Sequence, residues 1–255
     1  MTLSGNSISQ WNDKSSNSFG FSQATSANRP VSLSNSINGL SSVSTSGGQF
    51  LRTTGYAQNS STATFFVVVK PTSTSFTTEY MLPFSMPSGT TGYPVLTVDY
   101  RSAATSMAAS YATYNRDSFA SYIGAPSNVL SNAQLLSLFV TGSTATNFIN
   151  LFGTTQSLFY NATQGGLSTG ITGGTLDIVS GSAAHSGQTG EIIMYSRILG
   201  AAEYRQIEGY LAQKWGVSSK LPGTHPFGLS IAPAPLVFSP KDIDGCAVWV
   251  DAFRV

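Results

Sequence analysis

Charge is what this chain has least of: Lys, Arg, Asp and Glu together make up 9% of its 255 residues, and the formal net charge is +1. A surface so poor in basic residues offers no electrostatic footprint for nucleic acid, and no acidic run supplies an interaction tail. Cysteine is almost missing. Cys246 stands alone, which excludes an intrachain disulfide and a cysteine-based zinc site and leaves it the role of a small buried hydrophobe. Histidine is scarce, with His185 and His225 far apart in sequence and without a partner at metal-ligand spacing. His225, just past a helical segment, is expected to pack the turn there. Long apolar runs are also absent. The longest, residues 65–69, is far too short to span a bilayer, and MTLSGNSISQW has no basic segment leading into an apolar core, so no secretory signal is expected. Solubility must come from Ser, Thr, Asn and Gln instead, a composition usual in virion and extracellular β-sheet proteins. A virion or cell-surface location is therefore the expectation.

Helical periodicity is confined to one stretch, 190–227, which reads GEIIMYSRILGAAEYRQIEGYLAQKWGVSSKLPGTHPF. Residues 191–195 are a short apolar, β-branched run that suits a sheet-core strand. Tyr204, Ile207, Leu211 and Trp215 then recur at three- and four-residue steps and share one helical face, with Glu203, Arg205, Gln206, Glu208, Gln213 and Lys214 expected mostly on the other sides. Glu203 in the first turn and Lys214 in the last suit the helix dipole, and Gly216 suits the left-handed cap. A single amphipathic helix must bury its stripe on something. The rest of the chain offers only short strands, so that surface is a sheet.

Residues 63–70 (ATFFVVVK) predict the strongest strand, apolar throughout and so covered on both faces. Residues 80–86 carry Pro83 and predict an edge strand or a bend. PVLTVDYR (94–101) alternates like a half-buried antiparallel strand, with 107–114 as its partner. Residues 135–141, 146–152 and 157–161 follow at meander spacing, and 173–179 completes the set before the helical stretch. Residues 9–18 (SQWNDKSSNS) read as a turn-rich segment, and a strand starts near 49–51.

The order of GEIIMYSR, the helical segment with Tyr210-Leu211, Lys214-Trp215-Gly216, Leu221-Pro222 and His225-Pro226-Phe227 resembles the closing segment of concanavalin A-like, laminin G-type jelly-roll modules. Near the start, Trp11, Asp13, Lys14, Ser15 and Asn17 match the W.DKS.N element of the same family. Trp249, Asp251 and Ala252 match its WLDA opening signature, with Val250 in place of Leu. Glu191, Tyr204, Ile207, Leu211, Trp215 and His225 complete the matching positions. The resemblance implies an all-β, two-sheet antiparallel sandwich of jelly-roll type with one C-terminal amphipathic helix. It also implies an unusual order: a sandwich over 1–230, a Pro-rich linker, and in 231–255 a strand that normally opens the module. That strand is expected in its own sheet, exchanged with a second copy, or as the start of a further repeat.

Such folds host lectins and polysaccharide hydrolases alike, so chemistry has to be sought in side chains. Retaining glycosidases need two carboxyls roughly 5 Å apart, commonly in an E.D..E strand pattern. None of the eleven acidic residues stands in that pattern, and only Asp242 and Asp244 are two apart. No G.S.G elbow joins a strand to a helix, so a serine nucleophile is unsupported as well. Calcium is the one cofactor worth weighing, with Asp13 and Asn17 or Asp242 and Asp244 as candidate oxygen ligands. For a glycan, Tyr100, Tyr111, Tyr114, Tyr122 and Tyr160 are candidate contact aromatics. The expected function is a non-enzymatic structural or adhesive module of a virion or surface. Its expected partners are other structural proteins or a second copy. Glycan-binding lectin-like activity is the alternative, and polysaccharide hydrolysis a weaker one.

Overall fold

The computed structural model describes residues 1–56, 62–72, 80–85, 94–99, 108–113, 132–140, 148–155, 174–180, 186–228 and 238–252. In chain order its strands are β1 (Thr2–Ser4), β2 (Ser7–Asn12), β3 (Gly20–Ser22), β4 (Val31–Ile37), β5 (Leu40–Ser46), β6 (Leu51–Tyr56), β7 (Ala63–Pro71) and β8 (Tyr80–Ser85). There follow β9 (Pro94–Asp99), β10 (Ala108–Thr113), β11 (Gln134–Val140), β12 (Phe148–Leu151), β13 (Thr154–Thr155), β14 (Gly174–Ser180), β15 (Ser186–Tyr195), helix α1 (Ala201–Lys214) and β16 (Cys246–Asp251). The architecture is antiparallel β-sheet with one α-helix among the described residues. Hydrogen bonding links the strands in the order β10-β9-β8-β14-β6-β3-β2-β4-β5-β15-β7-β11-β12-β13, with β1 on β2 and β16 on β15.

That ladder folds back on itself. Ile8, Phe21, Leu51 and Ile178, from one stretch of it, share a buried cluster with Phe65, Val67, Leu138, Ile192 and Val250 from the other. The uninterrupted apolar run of β7 follows from its position: Phe65, Val67 and Val69 enter this inner core, while Phe66 and Val68 enter a second cluster beneath α1. β15 repeats the division, with Ile192 and Met194 inward and Ile193 and Tyr195 toward the helix. Side chains alternate across a strand, so a strand covered on both faces must be apolar at every position.

α1 lies over β7, β11 and β15, where Ile207, Leu211 and Trp215 are fully buried. Each such side chain contributes about 1.5–3 kcal/mol by leaving water. The Gly200 N–H donates to Glu203 Oε2 at 2.8 Å and caps the first turn, and Gly216, at φ +67°, ends the helix. One expectation fails here. Glu208, read as outward, is completely buried; it stands four residues after Tyr204 and three before Leu211, so the stripe's own spacing carries it inward.

The N-terminal third also departs from the sequence reading. β2 runs into the segment read as turn-rich, and β1, β3, β4 and β5 form where no strand was expected; Asn38-Gly39, both at positive φ, make the two-residue turn that brings Ile37 opposite Leu40. Uncharged Ser- and Thr-rich strands carry little of the hydrophobic contrast that marks alternation. β8 is not an edge strand. It pairs with β9 and β14, and its pairing with β9 shifts between Met81 and Phe84, where Pro83 falls. The expected strand at 157–161 lies outside the described residues.

β16 pairs with β15 of its own chain from Glu191↔Asp251 to Tyr195↔Cys246. Its other side is bonded to the turn after β2: Lys14 N–H donates to the Trp249 carbonyl at 2.6 Å, and Asn17 Nδ2 to the Ala247 carbonyl at 2.8 Å. The strand thus fills a slot between β15 and residues 13–17.

Candidate functional site

Four residues matched by the resemblance, Glu191, Trp215, Trp249 and Asp251, meet at one buried polar centre under α1. Glu191 of β15 is its hub. Its Oε1 accepts from Trp249 Nε1 (2.7 Å) and the Tyr210 hydroxyl (2.9 Å); its Oε2 accepts from Trp215 Nε1 and Lys214 Nζ, both at 2.8 Å. Lys214 Nζ also lies 2.8 Å from Asp251 Oδ2, which is paired in turn with Lys14 Nζ at 2.5 Å. Two carboxylates and two ammonium groups therefore balance in a site where Glu191 is wholly inaccessible to solvent. Burial raises the Glu191 pKa, while the pull of Lys214 opposes the rise and Asp251 adds to it.

Close packing requires glycine next to the hub. A Cβ on Gly190 would come within 2.6 Å of the Trp215 ring. Trp11, buried in the inner core, donates through Nε1 to the Asp251 carbonyl at 3.1 Å. Elements from both ends of the chain are thereby tied to strand and helix through four buried or half-buried side chains.

Glu191 and Asp251 face each other in register, and both touch one ammonium. They are close enough to meet the roughly 5 Å spacing of a retaining glycosidase pair. Their surroundings serve another purpose. Lys214 sits between them, indole and hydroxyl donors fill the remaining Glu191 positions, and Asp251 is 4% exposed, so a glycosidic bond has no way in. This pair escaped sequence inspection because sixty residues separate its members.

A second buried centre lies farther along the helix. Glu208 Oε1 accepts from Ser137 Oγ (2.7 Å) and Asn150 Nδ2 (2.9 Å), and its Oε2 lies 3.3 Å from His225 Nε2. Phe227 N–H donates to His225 Nδ1 at 3.2 Å, which puts the ring proton on Nε2, toward the carboxylate. Serine, histidine and acid are all present. Their order is nevertheless unsuited to nucleophile activation, because Ser137 donates to the acid rather than to the imidazole, and all three are buried. The centre pins α1 to β11 and β12 and holds 225–227 against the helix, as expected of His225.

Three of the four cation-ligand candidates, Asp13, Asn17 and Asp242, are engaged by protein groups. Asp13 Oδ1 accepts from Ser15 N–H (2.8 Å) and Trp249 N–H (2.7 Å), and Oδ2 from Ser15 Oγ (2.6 Å) and Phe19 N–H (3.3 Å). Four donors occupy the lone pairs a calcium ion would need. Asn17 turns its amide to Ala247, Asp242 Oδ2 accepts from Ser239 N–H at 2.8 Å, and Asp244 is exposed. Among the described residues no three or more His, Cys, Asp or Glu side chains gather around a common point. Of the tyrosines proposed for glycan contact, Tyr111 lies on β10 opposite Leu96; Tyr100, Tyr114, Tyr122 and Tyr160 lie outside the described residues. Cys246 is buried with its thiol pushed up to about 12, chiefly by burial, as suits a packed hydrophobe. Among the described residues no helix is long and apolar enough to cross a membrane.

No family model and no curated protein sequence matches the chain. Solved structures to which the chain is similar include domain 4 of AbnA, a GH43 extracellular arabinanase from Geobacillus stearothermophilus, in complex with arabinotriose. That match has TM-score 0.46 and 13% identity, over 68% of this chain and 78% of that one. The botulinum neurotoxin serotype G binding domain is similar at TM-score 0.46 and 9% identity, over 81% of this chain and 51% of that one. Trypanosoma rangeli sialidase is similar at TM-score 0.42 and 14% identity, over 76% of this chain and 34% of that one. The chain thus spans about a third of the sialidase and half of the toxin domain.

Proposed function

We propose that this chain is a non-enzymatic structural and adhesive module of the concanavalin A-like, laminin G-type jelly-roll kind, displayed on a virion or a cell surface. One observation carries the reading. Of the acidic side chains whose surroundings are described, all but the exposed Asp244 are engaged by protein donors: Asp13, Asp177, Glu191, Glu203, Glu208, Asp242 and Asp251. The two exposed carboxyls that stand close in sequence, Asp242 and Asp244, lie in a turn where Asp242 caps the Ser239 N–H, so two unengaged solvent-facing carboxyls, the minimum for acid–base or nucleophilic glycoside chemistry, are not found among them. Those groups hold elements together instead. The family resemblance supports the same reading, since its W.DKS.N, GE, KWG and WVDA residues meet at the Glu191 centre and its borders. Strand exchange through 236–255 remains part of the proposal, because the slot that β16 fills would accept the same strand from a second copy.

The test is incubation of the full chain with arabinan, β-glucan and xylan, followed by measurement of released reducing ends. No release above buffer is expected. Release that disappears in Asp242→Asn or Asp244→Asn would overturn the non-enzymatic reading. The mass of the full chain in solution over a range of concentrations tests assembly. A dimer whose fraction rises with concentration is expected from strand exchange, and a monomer at every concentration rejects it.

A further inference from the structure

Lys214, the last residue of α1, reaches two carboxylates at once: its Nζ lies 2.8 Å from Glu191 Oε2 and 2.8 Å from Asp251 Oδ2. The two acids stand opposite each other on the paired strands β15 and β16, so they project from one face. A carboxyl carbon lies one short C–O bond beyond its oxygen, which puts Asp251 Cγ within about 4 Å of the Lys214 nitrogen. Water is largely shut out. Glu191 is wholly inaccessible, Asp251 is 4% exposed and the Lys214 side chain 16%. Trp215, Trp249 and Tyr210 close over Glu191 with donated hydrogen bonds, and Trp11 Nε1 holds the main chain of Asp251.

We propose that Lys214 and Asp251 condense to an amide, a covalent cross-link between the end of α1 and β16, with Glu191 as the catalytic proton carrier. Glu191 takes one proton from the Lys214 ammonium and passes it to the Asp251 carboxylate, leaving a neutral amine beside a neutral carboxyl. The amine lone pair attacks Cγ and forms the N–C bond. Glu191 then takes a second N–H proton and delivers it to the departing Asp251 hydroxyl, which leaves as water with the C–O bonding pair. Of the three ammonium hydrogens, two leave in the water and one stays on the amide; no oxidant or reductant is needed, and Glu191 ends as it began. Burial raises the Glu191 pKa, which suits a carboxyl that must hold a proton in passing. Asp251 is the electrophile because Lys14 Nζ, paired to the same Oδ2, stabilises the negative charge that develops on attack, whereas the oxygens of Glu191 are held by indole and hydroxyl donors. Fixed proximity takes the place of an activated acyl group, and a neutral amide removes a charged pair from a site where burial penalises charge. The bond gives a covalent staple to a chain whose single cysteine excludes a disulfide. It does not depend on the adhesive reading above, and whichever copy supplies β16, one water is lost per chain.

The intact mass of the purified full chain, measured in denaturant after incubation at neutral pH, tests this. A mass one water below the sequence mass per chain is expected, in a monomer or in an exchanged dimer that stays joined in denaturant. Fragmentation of a proteolytic digest should recover the peptide of Lys214 joined to that of Asp251. Lys214→Arg keeps the charge but not the amine nucleophile, and Glu191→Gln keeps the shape but not the proton carrier. Each should restore the full sequence mass, with circular dichroism confirming the folded sheet. The full sequence mass in the unaltered chain would overturn the cross-link. So would a water loss that survives either substitution, or one that maps to Glu191 or to Asp244-Gly245, where an aspartyl succinimide would form.

Discussion

The two outward faces of this molecule are built from the same antiparallel backbone and end in opposite surfaces. Outward positions on β7, β11 and β15 are Phe66, Val68, Leu135, Ile193 and Tyr195, and a helix must cover them. Outward positions on β3 and β6 are Ser22, Arg52 and Thr54, which meet water. The inner core is common to both layers, so the difference lies wholly in alternate side chains. It shows which face holds the molecule together and which is left for contact. Where carboxylates enter the covered side, at Glu191 and Glu208, their oxygens are met by side-chain donors, as burial demands.

The comparison can be broken by substitution. Trp215→Ala should have the largest effect, a loss of about 3–5 kcal/mol in denaturant unfolding, because it opens a cavity and removes an indole N–H from Glu191. Gly190→Ala should approach it, since its added carbon would meet the same ring. Glu191→Ala leaves Lys214 and two indoles facing an empty site and should cost about 3–5 kcal/mol, with Glu191→Gln distinctly milder. Glu208→Gln should cost about 1–3 kcal/mol, as one acceptor for Ser137, Asn150 and His225 becomes partly a donor.

Smaller still is an acid effect at the edge of the helix. The Arg197 guanidinium and the Gly200 N–H hold the Glu203 carboxyl down at about 2. A folded carboxyl below its ordinary value binds fewer protons than the unfolded chain, so its contribution is complete above about pH 4.5 and is lost as the pH falls toward 2. Glu203→Gln should therefore lower stability modestly at neutral pH, where that contribution is present, change little near pH 2, where it is already lost, and so flatten the acid limb of the stability profile. On the polar face, Ser22→Ala should stay within about 0.5 kcal/mol of the parent. Equal losses on both faces, measured by the same unfolding curves, would end the distinction drawn here.

Much of this was legible beforehand, and the exceptions have causes. The helix and the doubly covered β7 and β15 stand out because periodicity and continuous apolarity are local signals. β2, β4 and β5 were hidden by a Ser/Thr-rich composition with little contrast between faces. Pro83 marked an irregularity correctly, but an interior strand tolerates it through a shift in pairing. At the buried centres, Trp11, Glu191, Trp215, Trp249 and Asp251 were recognisable as a set, whereas their mutual contacts were not, because those contacts cross up to 240 residues of chain. Glu208 was misassigned by its charge when its spacing already placed it in the stripe.

The amino-acid order alone determined that strands would dominate, that one amphipathic helix would need a sheet to lie on, and that little charge would be available for chemistry. Those are consequences of side-chain period and composition, which every short segment carries with it. The tertiary fold decided that Glu191, Lys214 and Asp251 would neutralise one another in the dark, that β16 would lie between β15 and the turn after β2, and that Arg52 would find Asp177 across a ladder. These depend on strand register between distant segments, and register is set by the shared core and not by any stretch of sequence taken singly.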